Sequence, residues 1–183
     1  MNMHLSRIRT GTLGVLFLLA SSVALCAADA PLDLSLWDTG MKPQKLSQYR
    51  GKIVVLNFWA TWCENCKAEL PMLVEEAKRY SHHDVVVIGA SLDDATTVKK
   101  VRPFTKQERL DFPVWIGATV DTLQEFGLGN TIPATAVLDR DGHIAERVLG
   151  KLRQRDLEER LKWLLGNRQG PAPEPLVSNF NPD

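Results

Sequence analysis

Cysteine and histidine are scarce. The 183-residue chain has three cysteines and four histidines, and a structural zinc site usually takes four such ligands together. Beyond the pair Cys63 and Cys66, the candidate ligands are His82, His83 and His143. The first two are neighbours in a polar "YSHHD" connection and read as solvated; His143 follows a turn and reads as a surface strand residue. No metal is expected. Charge of one sign is also lacking: 22 basic and 22 acidic side chains cancel. Zero net charge leaves no electrostatic footprint for nucleic acid or for an anionic membrane surface. The apolar run "TLGVLFLLASSVAL" falls short of the roughly 20 residues that cross a bilayer comfortably. No internal repeat is present.

What remains is enough for one ordinary core, since 44% of residues are hydrophobic. Residues 1–30 have the layout of a secretory signal peptide: Arg7 and Arg9, the apolar run, then the small residues of "CAADA". Cleavage is expected after Ala28 or Ala30, with an uncleaved N-terminal anchor as the alternative. A lipoprotein signal wants a small residue before its cysteine, and Leu25 stands there instead, so Cys26 is expected to leave with the signal. Residues 31–167 read as one domain. The Pro-rich "RQGPAPEPLVSNFNPD" reads as a flexible tail over 168–183. The protein is therefore expected in the periplasm or another extracytoplasmic space, soluble after cleavage or tethered by its N-terminus.

Along the domain, "PLDLSLWDTG" suggests a short edge strand and turn, and "QKLSQYRGK" a second short strand with a helical turn. "IVVLNFWA" and "DVVVIGAS" are near-continuous apolar runs, as in strands buried on both faces. Between them, Leu70, Leu73, Ala77 and Tyr80 keep helical spacing over 63–80. "DDATTVKKVRPFTKQERL" reads as mostly helical, with Pro103 as a break or kink. "FPVWIG" is a short strand and "VDTLQEFGL" a short helix. Asp141-Gly142 marks a hairpin between "ATAVLD" and "HIAERVLG". "RQRDLEERLKWLLGN" is an amphipathic helix with Leu157, Leu161, Leu164 and Leu165 on one face. Alternating strands and helices imply an α/β fold with a parallel sheet core, and the late hairpin adds antiparallel strands.

The pair in "FWATWCENCKAELP" carries the chemistry. Removal of the signal would leave only these two cysteines, three positions apart. A bridge that local stabilises little, because disulfides constrain mainly through long loops. A chemical role is favoured. Cys63 follows a buried strand and opens a helix, where free N–H groups and the helix dipole stabilise the thiolate. Cys66, one turn in, is placed to resolve a mixed disulfide. C-x-x-C beside a β-α-β pattern is a thioredoxin-like signal.

"NFWATWCENCKAELP" resembles the active-site segment of thioredoxin-fold proteins, and most closely the TlpA/ResA branch of exported or tethered thiol–disulfide oxidoreductases. The resemblance runs from about Leu32 to Gly166, including "RGK" before the strand and "LDRDG" at the hairpin. It implies a thioredoxin-like fold: a central mixed β-sheet flanked by helices, with an extra N-terminal β-hairpin. It implies a redox disulfide between Cys63 and Cys66, and no cofactor. Pro71 matches the proline that kinks the active-site helix. Pro133 falls at the family's cis-proline, which leaves the backbone of Ile132 free to pair with a substrate chain. Trp59 is expected in the core and Trp62 at the contact surface. Thioredoxin itself has a buried aspartate where this chain has Asn57, and Glu69, one turn beyond Cys66, is the candidate replacement for proton transfer. The bland alternative is an exposed helix glutamate. The expected activity is reduction of protein disulfides, with apocytochrome c among the candidate substrates, by a monomer. A transmembrane thiol donor of Dsb or Ccd type would reset it. Copper-relay proteins of the same fold are the rival. His143 lies downstream much as their histidine ligand does, but they space their cysteines three residues apart, and here there are two. Two departures bear on substrate choice: Asn65 replaces the proline common before the second cysteine, and "PAT" replaces Pro-Thr-Thr.

Overall fold

The computed structural model describes residues 31–174. The expected signal peptide and residues 175–183 lie outside the described residues. Seven strands form one mixed sheet in the order β2-β1-β5-β4-β3-β6-β7. They are β1 (Ser35–Asp38), β2 (Pro43–Lys45), β3 (Ile53–Trp59), β4 (Val85–Ser91), β5 (Val114–Ile116), β6 (Ala134–Leu138) and β7 (Ile144–Leu149). The helices are α1 (Glu64–Arg79), α2 (Val101–Gln107), α3 (Val120–Glu125) and α4 (Gln154–Leu165). β3, β4 and β5 run parallel, whereas β1, β2, β6 and β7 join antiparallel. The N-terminal hairpin β1–β2 attaches to the sheet through β5.

β3 is buried at all seven positions, and its alternation sorts the two halves of the core. Ile53, Val55 and Trp59 face a layer containing Leu70 and Leu73 of α1 and Leu157, Leu161 and Leu164 of α4. Val54, Leu56 and Phe58 face the other layer, with Leu36 of β1, Leu123 of α3 and Phe126. Each such side chain contributes roughly 1.5–3 kcal/mol by leaving water. The period of two then places Asn57 on the α1/α4 side, the side where a polar residue needs a partner.

Pro103 neither breaks nor kinks its segment. A 3-10 turn over Val98–Lys100 passes into α2 at Val101. Pro103 thus falls in the first helical turn, where its missing N–H would have had no intrahelical partner. Pro71, by contrast, is inside α1, where it removes a helix hydrogen bond. Residues 168–174 run back along α4: the Arg160 guanidinium donates to the Pro173 carbonyl at 3.0 Å, and Arg160 and Arg168 flank the Trp163 ring at 5.4 and 5.5 Å. Arg160 also meets Glu146 of β7 in a buried ion pair.

Gly89 of β4 is a tight point behind the active-site loop. A Cβ there would lie 2.9 Å from Trp59 Nε1 and 3.2 Å from Phe112. The Trp59 ring is fully buried and packed on Phe104 at 5.3 Å, so it has little room to yield. Gly89→Ala should cost about 1–3 kcal/mol by overpacking. A lowered urea midpoint with an altered near-UV tryptophan signal checks this; an unchanged midpoint contradicts it.

Candidate active site

The chain leaves β3 at Trp59 and enters α1 at Glu64, so four residues make the turn. Cys63 is the N-cap: its backbone is extended, and its Sγ accepts the Cys66 N–H at 3.2 Å. This is the terminus where free N–H groups and the helix dipole favour a thiolate. Cys63 and Cys66 form a disulfide, with Cα atoms 5.3 Å apart. Cys63 is 8% exposed and Cys66 1%. The structure thus has an outer and an inner sulfur, in the order the sequence suggested.

Thr61 fixes the turn. Its N–H and hydroxyl both donate to Asp93, at 2.8 and 2.6 Å, and Ser91 donates to the same carboxylate at 2.8 Å. Asp93 is 4% exposed, so these three bonds offset its desolvation. Neither Thr61 nor Asp93 was singled out from the sequence. The signal was weak: a polar residue just past a buried strand usually begins a loop.

The Ile132–Pro133 peptide bond is cis, as the family resemblance implied. The Ile132 carbonyl oxygen lies 3.9 Å from Cys63 Sγ. In the disulfide this is a contact without a proton; a Cys63 thiol could donate across it. Trp62 is 56% exposed beside the cysteines and Trp59 is fully buried, matching their expected places.

Glu69 is 1% exposed, which removes the reading as an exposed helix residue. Its Oε1 accepts from Asn57 Nδ2 at 2.7 Å, and its Oε2 from the Leu152 N–H at 2.8 Å. Asn57 also donates to Thr135 Oγ1 at 3.0 Å, its cross-strand partner on β6. Burial raises the Glu69 pKa from 4.5 to about 7, against the lowering effect of the Leu152 and Asn57 hydrogen bonds and of Lys151. Its hydrogen-bond partners come from β3 and the β7–α4 connection. Thr135 and Leu152 were missed because only the folded register brings Thr135 to Asn57 and Leu152 to Glu69.

His143 is not brought to the cysteines. Ala134 pairs with Phe58 and Leu138 with Val54, so β6 starts at the cysteine end of β3 and finishes at the other end. His143 lies beyond that finish, roughly a strand length of 15 Å or more from the disulfide. His82 and His83 precede Asp84, whose carbonyl accepts from Ile53 N–H at the same far end. A copper site of both cysteines and His143 does not fit this geometry. Asp139, Asp141 and His143 do cluster, but as a turn: Asp139 Oδ1 accepts the N–H groups of Asp141 and His143, and Oδ2 pairs with Arg168.

The reduced protein should be alkylated at Cys63 first near neutral pH, because the outer sulfur is the accessible and N-cap-stabilised one. Peptide mapping after brief iodoacetamide treatment reads this, and faster labelling of Cys66 would reverse the assignment.

A family model described as the AhpC/TSA family matches residues 26–147. The thiol-disulfide oxidoreductase ResA of Bacillus thuringiensis subsp. konkukian (strain 97-27) is 33% identical over 121 residues, 66% of this chain and 68% of that protein. ResA of Bacillus subtilis (strain 168) is 30% identical over 125 residues, 68% of each chain. Among solved structures, a thiol:disulfide interchange protein of the thioredoxin family from Chlorobium tepidum TLS superimposes with a TM-score of 0.64 at 26% identity. It covers 75% of this chain and 95% of that one. The pneumococcal exposed lipoprotein thioredoxin of Streptococcus pneumoniae strain TIGR4 gives 0.63 at 28% identity, covering 73% and 100%. With its cysteine pair at a helix N-terminus beside a cis-proline, the chain belongs to the AhpC/TSA family as a thioredoxin-like thiol–disulfide oxidoreductase.

Proposed function

We propose that the protein works outside the cytoplasm as a reductant of disulfides in client proteins, a disulfide of apocytochrome c among them. The observation that carries the thiol–disulfide exchange is the Cys63–Cys66 pair at the N-terminus of α1 beside cis-Pro133, with the buried acid Glu69 one helical turn from the inner cysteine. The signal-like N-terminus and the resemblance to the TlpA/ResA branch support the compartment and the clients. A membrane dithiol donor of the Dsb or Ccd type fits as the source of electrons.

The cycle balances as follows. The Cys63 thiolate attacks one sulfur of the client disulfide, forming a Cys63–client bond and releasing the other client sulfur as thiolate. Cys66 then loses its proton and attacks Cys63 Sγ, forming the 63–66 disulfide and releasing the second client thiol. Two electrons pass to the client, and the donor dithiol returns the pair to its reduced form. The costly moment is deprotonation of Cys66, a thiol buried beside apolar side chains, because burial disfavours the thiolate. Glu69 accepts that proton, since its own proton affinity lies near the working pH. Asn57 and the Leu152 N–H hold the carboxylate in place for it. The Ile132 backbone beside cis-Pro133 pairs with the client chain, and Trp62 packs against it.

Glu69→Gln should slow the Cys66 resolving step by about 10²-fold or more, the lower range of positioned proton transfer, and remove an inflection near neutral pH. Stopped-flow exchange from pH 5 to 9 reads both; a profile matching wild type would sink the proton role.

Glu69 also links stability to pH. Its folded pKa of about 7 lies above the ordinary 4.5, so the folded state holds the proton more tightly than the unfolded chain. That contribution, about 3 kcal/mol at most, is complete below pH 4.5 and is lost as pH rises through about 7. Urea midpoints of the oxidised protein should fall over that window in wild type, with a flatter profile in Glu69→Gln. Equal slopes would show that Glu69 is not the group responsible.

A further inference from the structure

Four large apolar side chains stand out in water among the described residues: Trp37 (47% exposed), Met41 (64%), Trp62 (56%) and Val120 (43%). They come from β1, the β1–β2 turn, the cysteine turn and the start of α3. All four line one groove of about 810 Å³. Isolated exposed hydrophobics are ordinary, but their convergence in one concavity marks a binding surface. Ile132 also lines the groove, so it joins the two neighbours of the reactive sulfur, Trp62 and the cis-proline loop.

The groove has a charge bias. Among the described residues no lysine, arginine or histidine lines it, whereas Asp93 and Asp94 do. Asp93 is spent on Thr61 and Ser91. Asp94 keeps its Oδ2 clear of hydrogen bonds among the described residues, while Oδ1 accepts from the N–H and hydroxyl groups of Thr96 and Thr97. Those bonds hold its proton affinity below the usual carboxylate range, so the rim is anionic.

We propose that this groove selects the client: it takes an extended segment flanking the client cysteine that carries bulky apolar side chains and a lysine or arginine facing Asp94. The proposal rests on the thiol–disulfide reading of the same site. Continuity with the disulfide makes the occupant a client segment, because any chain joined to Cys63 must leave past Trp62 and Ile132. The Ile132 N–H has no backbone partner among the described residues, so it can pair with an extended chain whose alternate side chains then point into the groove. The hairpin wall, Trp37 and Met41, gives this chain its own selectivity.

The test uses the reduced wild-type protein and three disulfide-bridged peptides that differ only in their flanks: Phe/Leu with Lys, Phe/Leu with Glu, and Gly/Ser. Reduction of 2-hydroxyethyl disulfide is the control. The apolar-basic peptide should exceed the Gly/Ser peptide in kcat/KM by about tenfold or more, as burial of one large side chain allows. Trp37→Ala should bring that ratio close to one. Met41→Asn, which suits the left-handed backbone at position 41 (φ 64°), should lower it without disturbing the turn. Asp94→Asn, which keeps the Thr96 and Thr97 acceptor, should erase the preference for Lys over Glu. Equal rates for all three peptides, with 2-hydroxyethyl disulfide reduced normally, would overturn the groove proposal alone. No reduction of 2-hydroxyethyl disulfide would overturn the redox reading and the groove with it. A wild-type dimer in sedimentation that Trp37→Ala dissolves would assign the groove to a second copy and overturn the client.

Discussion

The carboxyl end of β3 must pass from a strand buried on both faces to an exposed helix N-terminus within four residues. That constraint positions almost everything at the site. The strand cannot shift, because its seven side chains are committed to two opposed layers of core. The turn cannot drift either, because Thr61 is bound twice to Asp93 at the end of β4. Cys63 then lands at the N-cap, where the backbone has already turned outward and the helix N–H groups converge. Cys66 lands one turn later, against Trp59 and Leu70 in the same apolar layer. The difference in exposure between the two sulfurs, 8% against 1%, therefore comes from fold position.

The same strand supplies the acid's environment. Asn57 shares the face of Ile53, Val55 and Trp59, the face that α1 covers. A buried amide on that side needs acceptors, and it finds Glu69 on the helix and Thr135 on β6. A buried carboxylate needs donors, and it finds Asn57 and the Leu152 backbone. The effects on Glu69 oppose one another: burial, the largest, drives it toward the neutral form, and two short hydrogen bonds drive it toward the charged form. Burial wins by enough to put the group near pH 7 instead of far above it, the condition under which a proton can leave and return quickly.

Much of this was legible in the sequence because local rules carried it. The cysteine spacing, the strand-to-helix transition and the apolar periods each follow from short-range patterns. Glu69 could be singled out because i, i+3 spacing on a helix keeps it on the face of Cys66. What could not be read depends on register between distant strands. Thr135 meets Asn57 only through the β3–β6 pairing, and Trp37 reaches the active-site groove only because β1 docks on β5. His143 shows why sequence order alone could not dismiss the copper rival. It lies ten residues after Pro133, yet a strand of five residues carries it to the opposite end of the sheet. Pro103 was misjudged for a simpler reason: a helix start displaced by a few residues converts a breaker into a first-turn residue.

Asn57 and Glu69 are best understood as one exchange rather than two substitutions. Oε1 of Glu69 lies 2.7 Å from the Asn57 amide nitrogen. An aspartate at position 57, as thioredoxin has, would set two carboxyl groups at hydrogen-bonding distance in a buried layer. Like charges that close cannot both ionise, so the pair would share one proton and titrate in two coupled steps. An amide at 57 avoids this. It donates a hydrogen bond that a carboxylate could not, and it leaves a single group to titrate. The acid has in effect moved from the strand to the helix that carries Cys66. There its position follows α1, three residues after Cys66 on the same helix.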